Sequence, residues 1–122
     1  MVTIRQHSTA GELIDFNTLL PDVEAFCSVD EWVVQVDECI GIGAREIEAQ
    51  TASEPAVLRP DELRAWYGGV LQTIDGSFIG VCQGEECCRL TAVDSSFWEV
   101  SGPPDFEAHM KGKYENQYGE GA

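Results

Sequence analysis

The stretch from Ile74 to Val100 constrains the fold of this chain more than any other part of it. It contains three short runs rich in apolar and β-branched residues, at 77–82, 87–93 and 97–101. Polar segments of the kind that form tight turns separate these runs. We therefore predict a three-stranded antiparallel meander over about 77–101. A further short strand is predicted at 2–6, where apolar and polar residues alternate.

The residues before the meander show helical spacing. Ser28 opens an S-x-x-E capping box, and apolar residues three or four apart then predict a helix over about 29–50. A strand over 32–36 is the alternative, because three of these residues are β-branched valines. Gly41 and Gly43 also weaken the helix, so any break in it is expected at these glycines.

Two more helices complete the predicted fold. Pro60 suits the first position of a helix, and apolar residues at helical spacing extend it over about 60–74. Phe106, Met110 and Tyr114 lie four residues apart and predict a last helix over about 104–114. The prediction is a single α+β domain over 1–122, with helices packed on the meander and a frayed tail at 115–122.

The charge is strongly unbalanced. Asp and Glu number 22 and Lys and Arg only seven, so the formal net charge is −15. A field of that sign repels nucleic acid and anionic lipid and speeds association with basic proteins. Solubility alone is the simpler explanation of such acidity.

Seven acidic residues are the candidates for binding a partner. On the predicted helix 29–50, four of them fall on two neighbouring lines opposite the apolar stripe, without a compensating cation. The other three lie at the turns of the meander. The candidates are Asp30, Glu31, Asp37, Glu38, Glu85, Glu86 and Asp94. An ordinary solvated surface is the alternative for all of them.

The five cysteines predict no metal site. They lack a C-x-x-C pair, and a zinc site built on Cys82 with Cys87 or Cys88 would have unusual spacing. We expect reduced thiols that act as small buried apolar groups. No cofactor is predicted.

No catalytic residue is predicted either. The sequence has no P-loop, G-x-G-x-x-G, H-E-x-x-H or G-x-S-x-G motif. With only two histidines, the arrangements that can be drawn are Asp94 and a neighbouring serine with His109, or a cysteine with His109. Nothing in their spacing requires either one. We therefore expect that the protein is not an enzyme.

The chain has no apolar run of about 18 residues and no apolar segment near Met1. We expect no membrane partner and a cytoplasmic location. In size, acidity, expected free thiols and lack of catalytic motifs, the chain resembles small bacterial immunity proteins, which neutralise a cognate toxin. That resemblance rests on the general profile, so it assigns no residue.

Three functions are compatible with these features. The first is an acidic binding protein that neutralises or regulates a basic protein partner, such as a toxin. The second is a small enzyme or ligand-binding domain with a pocket between helices and sheet, using Trp98, Glu99 and His109. The third is an adaptor that dimerises through the edge of its sheet. Steep weakening of association by salt distinguishes the first from the others.

Overall fold

The described residues form one six-stranded antiparallel sheet and four helices. The structure is a computed structural model that describes residues 1–117, and the side chains of 1–114. The strands are β1 (Val2–Arg5), β2 (Glu31–Gly41), β3 (Ala56–Leu58), β4 (Val70–Cys82), β5 (Glu85–Val93) and β6 (Phe97–Ser101). The helices are α1 (Phe16–Phe26), α2 (Ala44–Thr51), α3 (Pro60–Tyr67) and α4 (Pro104–Gln117).

The strand order is β1-β6-β5-β4-β2-β3, and every neighbouring pair is antiparallel. The predicted α+β class is therefore confirmed, but the predicted extent of the sheet is wrong. The three-stranded meander at 77–101 corresponds to the second half of β4 with β5 and β6. Strands β1, β2 and β3 extend the sheet on both sides of it.

The predicted helix over 29–50 is wrong, because half of it is strand β2. Trp32, Val34 and Val36 are buried while the residues between them are partly exposed, which is the two-residue period of a strand. The β-branched valines favour this conformation. Gly41 and Gly43 have φ angles of +136° and +82°, so a helix cannot pass through them. Only α2, which follows Gly43, is helical.

The predicted helix over 60–74 is correct in its first half only. Helix α3 begins at Pro60 as expected and ends at Tyr67. Gly68 and Gly69 then separate it from β4, which begins at Val70. Apolar residues of β4 continue the helical spacing by coincidence, and Asp75-Gly76, which resembles a turn, lies inside the strand.

The elements nearest the two ends of the chain agree with prediction. Strand β1 lies within the predicted 2–6, and α4 begins at the predicted position. Of the tail predicted to fray at 115–122, residues 118–122 lie outside the described residues, so that prediction stays untested. No helix within 1–117 is long and apolar enough to cross a membrane.

One face of the sheet carries the core. A buried row crosses five strands from Val2 through Val100, Leu90 and Phe78 to Val34. Buried residues from all four helices belong to the same cluster. At its centre Phe16 of α1 stacks on Phe78, with ring centroids 4.0 Å apart. The helices therefore cover this face of the sheet.

The pairing of β2 with β4 is irregular in three places. At each of these β-bulges one strand has one extra residue. The extra residue is Asp37 on β2 at the first bulge, Ile74 on β4 at the second and Leu71 on β4 at the third. Near the first bulge the Thr51 hydroxyl donates to the Val36 carbonyl at 2.9 Å and accepts from the Val36 amide at 3.1 Å. Strand β3 pairs with β2 only as far as Val34, and beyond that point Thr51 in the last turn of α2 bonds the free backbone edge of β2.

Candidate functional site

The face of the sheet opposite the core is the candidate site, and we call it the open face. Side chains on this face are partly or largely exposed, in contrast to the buried row on the other side. An antiparallel sheet commonly buries one face and leaves the other in water. Because the face spans six paired strands, it offers a broad surface for a macromolecule.

A polar row crosses the middle of the open face. The strand register places Thr3, Glu99, Thr91, Ser77 and Gln35 side by side on β1, β6, β5, β4 and β2. These side chains can accept or donate hydrogen bonds without any change of backbone. The open face therefore has a hydrogen-bonding centre.

A second row on the open face is mainly apolar. Ile79, Val33 and Val57 are neighbours on β4, β2 and β3, and Arg89 follows on β5. Val57 is 58% exposed, and Ile79 and Val33 are partly exposed. These three side chains would lose water contact if another molecule covered the face, which is favourable.

The predicted acidic residues fall into two groups at opposite ends of the open face. The first group, which we call the hairpin-end acids, is Asp30, Glu31, Glu85 and Glu86. Val81 on β4 pairs with both Glu31 and Glu86, and Cys82 pairs with Glu85. The Asp30 carboxylate accepts the amide of Gln83 at 2.7 Å, which ties it to the β4–β5 hairpin.

The second group, which we call the bulge-end acids, is Asp37, Glu38, Asp75 and Asp94. Glu38 pairs with Asp75 across β2 and β4. The Asp75 carboxylate accepts the Asp94 amide at 2.8 Å. Asp75 was not among the predicted residues, since the sequence Asp75-Gly76 suggested a turn. Only the strand register shows that it belongs here.

The structure places the predicted acidic residues in a different geometry from the one expected from the sequence. Asp30 and Asp37 were expected on one line of a helix. Instead, Asp30 precedes strand β2 and Asp37 lies far along it, so the two are about 20 Å apart at the rise of a β-strand. The open face is thus flanked by acid at both ends.

Basic side chains neutralise little of this charge. Arg89 forms a salt bridge with Glu86 at 2.8 Å, and that bond lowers the pKa of Glu86. Within the described side chains of 1–114, no salt bridge reaches Glu31, Asp37 or Glu38. These carboxylates remain available to cations from another molecule.

A shallow depression lies at the bulge end of the open face. It has a volume of about 450 Å³, and its lining includes Gln35, Asp37, Asp75, Ser77 and Thr91. Two carboxylates beside neutral hydrogen-bonding groups form an environment that suits the ammonium of lysine or the guanidinium of arginine.

The three residues of the alternative pocket are not brought together. Trp98 is buried in the core and its indole donates to the Ile14 carbonyl at 3.0 Å. Glu99, the next residue, lies on the open face. His109 lies on α4, where its ring nitrogen is 2.8 Å from the carboxylate of Asp22 on α1. The triad drawn from the sequence required His109 to pair with Asp94. In the structure His109 pairs with Asp22 instead.

Asp22 is a nearly buried carboxylate that joins α1 to α4. Besides His109 it accepts hydrogen bonds from the Lys113 ammonium at 3.0 Å and the Tyr114 hydroxyl at 2.8 Å. Burial raises its pKa, but the bonds from His109, Lys113 and Tyr114 outweigh burial and hold the pKa below its usual value. This arrangement stabilises an ionised carboxylate and explains the contact between the two helices.

Two cysteines form a disulfide, so the expectation of reduced thiols is wrong for them. Cys82 and Cys87 join β4 to β5 with their Cα atoms 5.8 Å apart, which is within the usual range. A bulge makes Cys87 the extra residue of β5. Cys27, Cys39 and Cys88 are free and buried, as predicted for small apolar groups. Within the described residues, no group of three potential ligands could hold a metal ion.

Comparison with known proteins adds nothing to this geometry. The chain matches no protein-family model, no curated protein and no solved structure.

Proposed function

We propose that this chain is an acidic binding protein that neutralises or regulates a basic protein partner through its open face. An immunity protein that blocks a cognate toxin is the form of this function that we favour. The observation that carries the proposal is the placement of two acidic groups, in which Arg89 pairs with Glu86 only, at opposite ends of the exposed face of the sheet. Electrostatic and apolar contacts would act together in binding.

Electrostatic attraction would govern encounter and orientation. With a net charge of −15, the chain attracts a basic protein over a distance of roughly one Debye length, about 8–10 Å at physiological salt. The hairpin-end and bulge-end acids form two points of attraction about 20 Å apart. A partner with two matching basic patches would be steered into one orientation on the face.

Apolar contacts would hold the bound state. Between the two acidic groups lie the partly exposed side chains of Ile79 and Val33, with Val57 beside them. An apolar centre with a charged rim is a common arrangement of protein interfaces. The polar row through Thr91 and Ser77 can supply hydrogen bonds that fix the register of the partner.

Affinity capture at low salt tests this proposal. The immobilised protein is exposed to lysate of the source organism and eluted with stepwise increases in salt, and the eluate is identified by mass spectrometry. The variant D37K/E38K reverses two bulge-end acids. The control E12K/D61K makes the same charge change at exposed positions outside the strands.

We expect the wild type and the control to capture one basic protein in stoichiometric amount and to release it as salt rises. D37K/E38K should capture much less of it. Equal capture by both variants would show that net charge alone, and not the open face, attracts the partner. Thermal unfolding of each variant confirms that the fold is intact.

A further inference from the structure

Three aliphatic side chains project from the end of the β2–β4 ladder, beside the bulge-end acids. Ile42 is 85% exposed, Leu71 is 66% exposed and Ile40 is 49% exposed. Ile40 pairs with Gln72 and Gly41 with Val70, so Leu71 is the extra residue between these pairs. We call Ile40, Ile42 and Leu71 the aliphatic tip.

The backbone holds the aliphatic tip in place. The Ile42 amide donates to the Gly69 carbonyl at 2.8 Å, which continues the ladder past the end of β2. Gly41 between the two isoleucines has φ +136°, and a Cβ there would lie 2.7 Å from the Leu71 nitrogen. Two strands therefore meet here so closely that only glycine fits, and the side chains beside it are directed outward.

The core does not account for the aliphatic tip. None of its three residues belongs to the hydrophobic cluster or packs against that cluster. They lie at neighbouring positions of the ladder, whereas exposed apolar residues that have no role are usually scattered singly. Together they form a small apolar projection.

The surroundings of the aliphatic tip are acidic. Glu38 lies on β2 two residues before Ile40. The depression beside Ile40 is lined by two acids of α2, Glu46 and Glu48, and by one cation, Arg45. Glu48 is occupied, since its carboxylate accepts the Cys39 amide at 2.9 Å. The tip is thus an apolar knob with an acidic border.

We infer that the aliphatic tip anchors the basic partner. The tip would insert into an apolar pocket on the surface of that partner, and lysine or arginine side chains would border the pocket. The inference rests on the proposed function and assigns the bound state to one end of the open face. Charge complementarity selects this occupant. A second copy of the chain would bring another net charge of −15 against the acidic border, and like charges oppose that contact.

The acidic border and the tip would have different kinetic roles. Charges around an interface act mainly on the association rate, whereas a desolvated apolar anchor acts mainly on dissociation. Burying one large aliphatic side chain is worth at least about a tenfold change in affinity.

Two synthetic heptapeptides test the inference without a known partner. One alternates lysine with leucine and the other alternates lysine with serine, so both have the same charge and only the first is apolar. The ¹⁵N-labelled full chain is titrated with each at low salt and followed by amide chemical shifts. The I42S variant is the test, and L13S is the control because Leu13 is an exposed aliphatic residue outside the six strands and outside the open face.

We expect the lysine–leucine peptide to shift the amides of Ile40, Ile42 and Leu71 and to bind at least about tenfold more tightly than the lysine–serine peptide. I42S should remove that difference, and L13S should keep it. Equal affinity of the two peptides, or shifts centred on Val57 or the hairpin-end acids, would overturn the inference.

Two outcomes separate this inference from the proposed function. Salt-sensitive binding of both peptides with equal affinity would leave an acidic binding face without an apolar anchor. Absence of binding by either peptide would count against both. The remaining case is self-association through the tip, which light scattering detects. If the wild type is a dimer and I42S is a monomer, the tip serves self-association and the inference is contradicted.

Discussion

The carboxylate of Asp15 accepts a hydrogen bond from the hydroxyl of Tyr67 at 2.9 Å, and both residues are buried. The same carboxylate accepts the amide of Thr73 at 2.9 Å, so one side chain joins the start of α1 to α3 and β4. Burial raises the pKa of Asp15 despite these bonds. The sequence contained no sign of this contact, since the partners are more than 50 residues apart.

Removing the Asp15 carboxylate should therefore destabilise the whole fold. We expect D15A to lower the free energy of unfolding by about 2–4 kcal/mol, because the Thr73 amide loses its partner in the core and α1 loses its N-cap. D15N keeps an acceptor at the same position and should cost less. Urea unfolding at pH 7 measures both, and equal losses would contradict the role given to the hydrogen bonds.

The Asp22 contact predicts a pH dependence of stability. Because its folded-state pKa lies below the unfolded value of about 4, its contribution is present above that pH and is lost as pH falls through the folded-state pKa. We expect D22N to be less stable by about 1–2 kcal/mol at pH 7, since His109 and Lys113 are partly exposed and screened.

The difference between D22N and the wild type should shrink as the solution is made strongly acidic, over the range in which the wild type stays folded. Urea unfolding at several pH values gives this difference directly. E12Q serves as the control, because Glu12 is exposed. A difference that stays constant with pH would argue against an ionised Asp22 as the source of the stability.

Two glycines should respond to alanine in opposite directions. G41A places a Cβ 2.7 Å from the Leu71 nitrogen at a φ of +136°, so we expect a loss of more than about 2 kcal/mol. Gly112 lies in α4 with nothing within 4 Å of an added Cβ. G112A should therefore raise stability by about 0.5–1 kcal/mol. Thermal unfolding of the two variants tests the pair, and similar effects would contradict the close approach at Gly41.

The cysteines predict a pattern of alkylation. Burial raises the pKa of Cys39 to about 11 and that of Cys88 to about 12, so both thiols should resist iodoacetamide in the folded protein. After unfolding without reductant, mass spectrometry should find three adducts. After unfolding with reductant it should find all five cysteines modified. Five adducts without reductant would show that Cys82 and Cys87 are not bonded.

The sequence predicted the elements whose local signals agree with one another. The turn segment 94–96 separates β5 from β6 as predicted, and Pro60 marks the start of α3, whereas β5 begins at Glu85, inside the turn predicted at 83–86. At 31–41 two periods competed, because Trp32, Val36 and Ile40 fit a helix while Trp32, Val34 and Val36 fit a strand. The choice between them depends on pairing with β4, which is a contact between distant parts of the chain.

The arrangement of the predicted acidic residues could not be obtained from the sequence. The seven acidic residues could be selected from charge alone, but their division into two groups follows from the strand register. The aliphatic tip was hidden because Ile40 and Leu71 were assigned to the apolar faces of helices. Asp15 and Asp22 were hidden for a similar reason, since nothing in the sequence distinguishes a buried acid from the many exposed ones.

The salt dependence of association with the captured partner tests the central claim most directly. Association rates are measured for the wild type, D37K/E38K and E12K/D61K over a range of ionic strength. We predict that the rate for the wild type and for the control falls steeply with salt, whereas D37K/E38K associates more slowly and depends less on salt. Identical salt dependence for all three proteins would contradict the claim that the open face binds a basic partner.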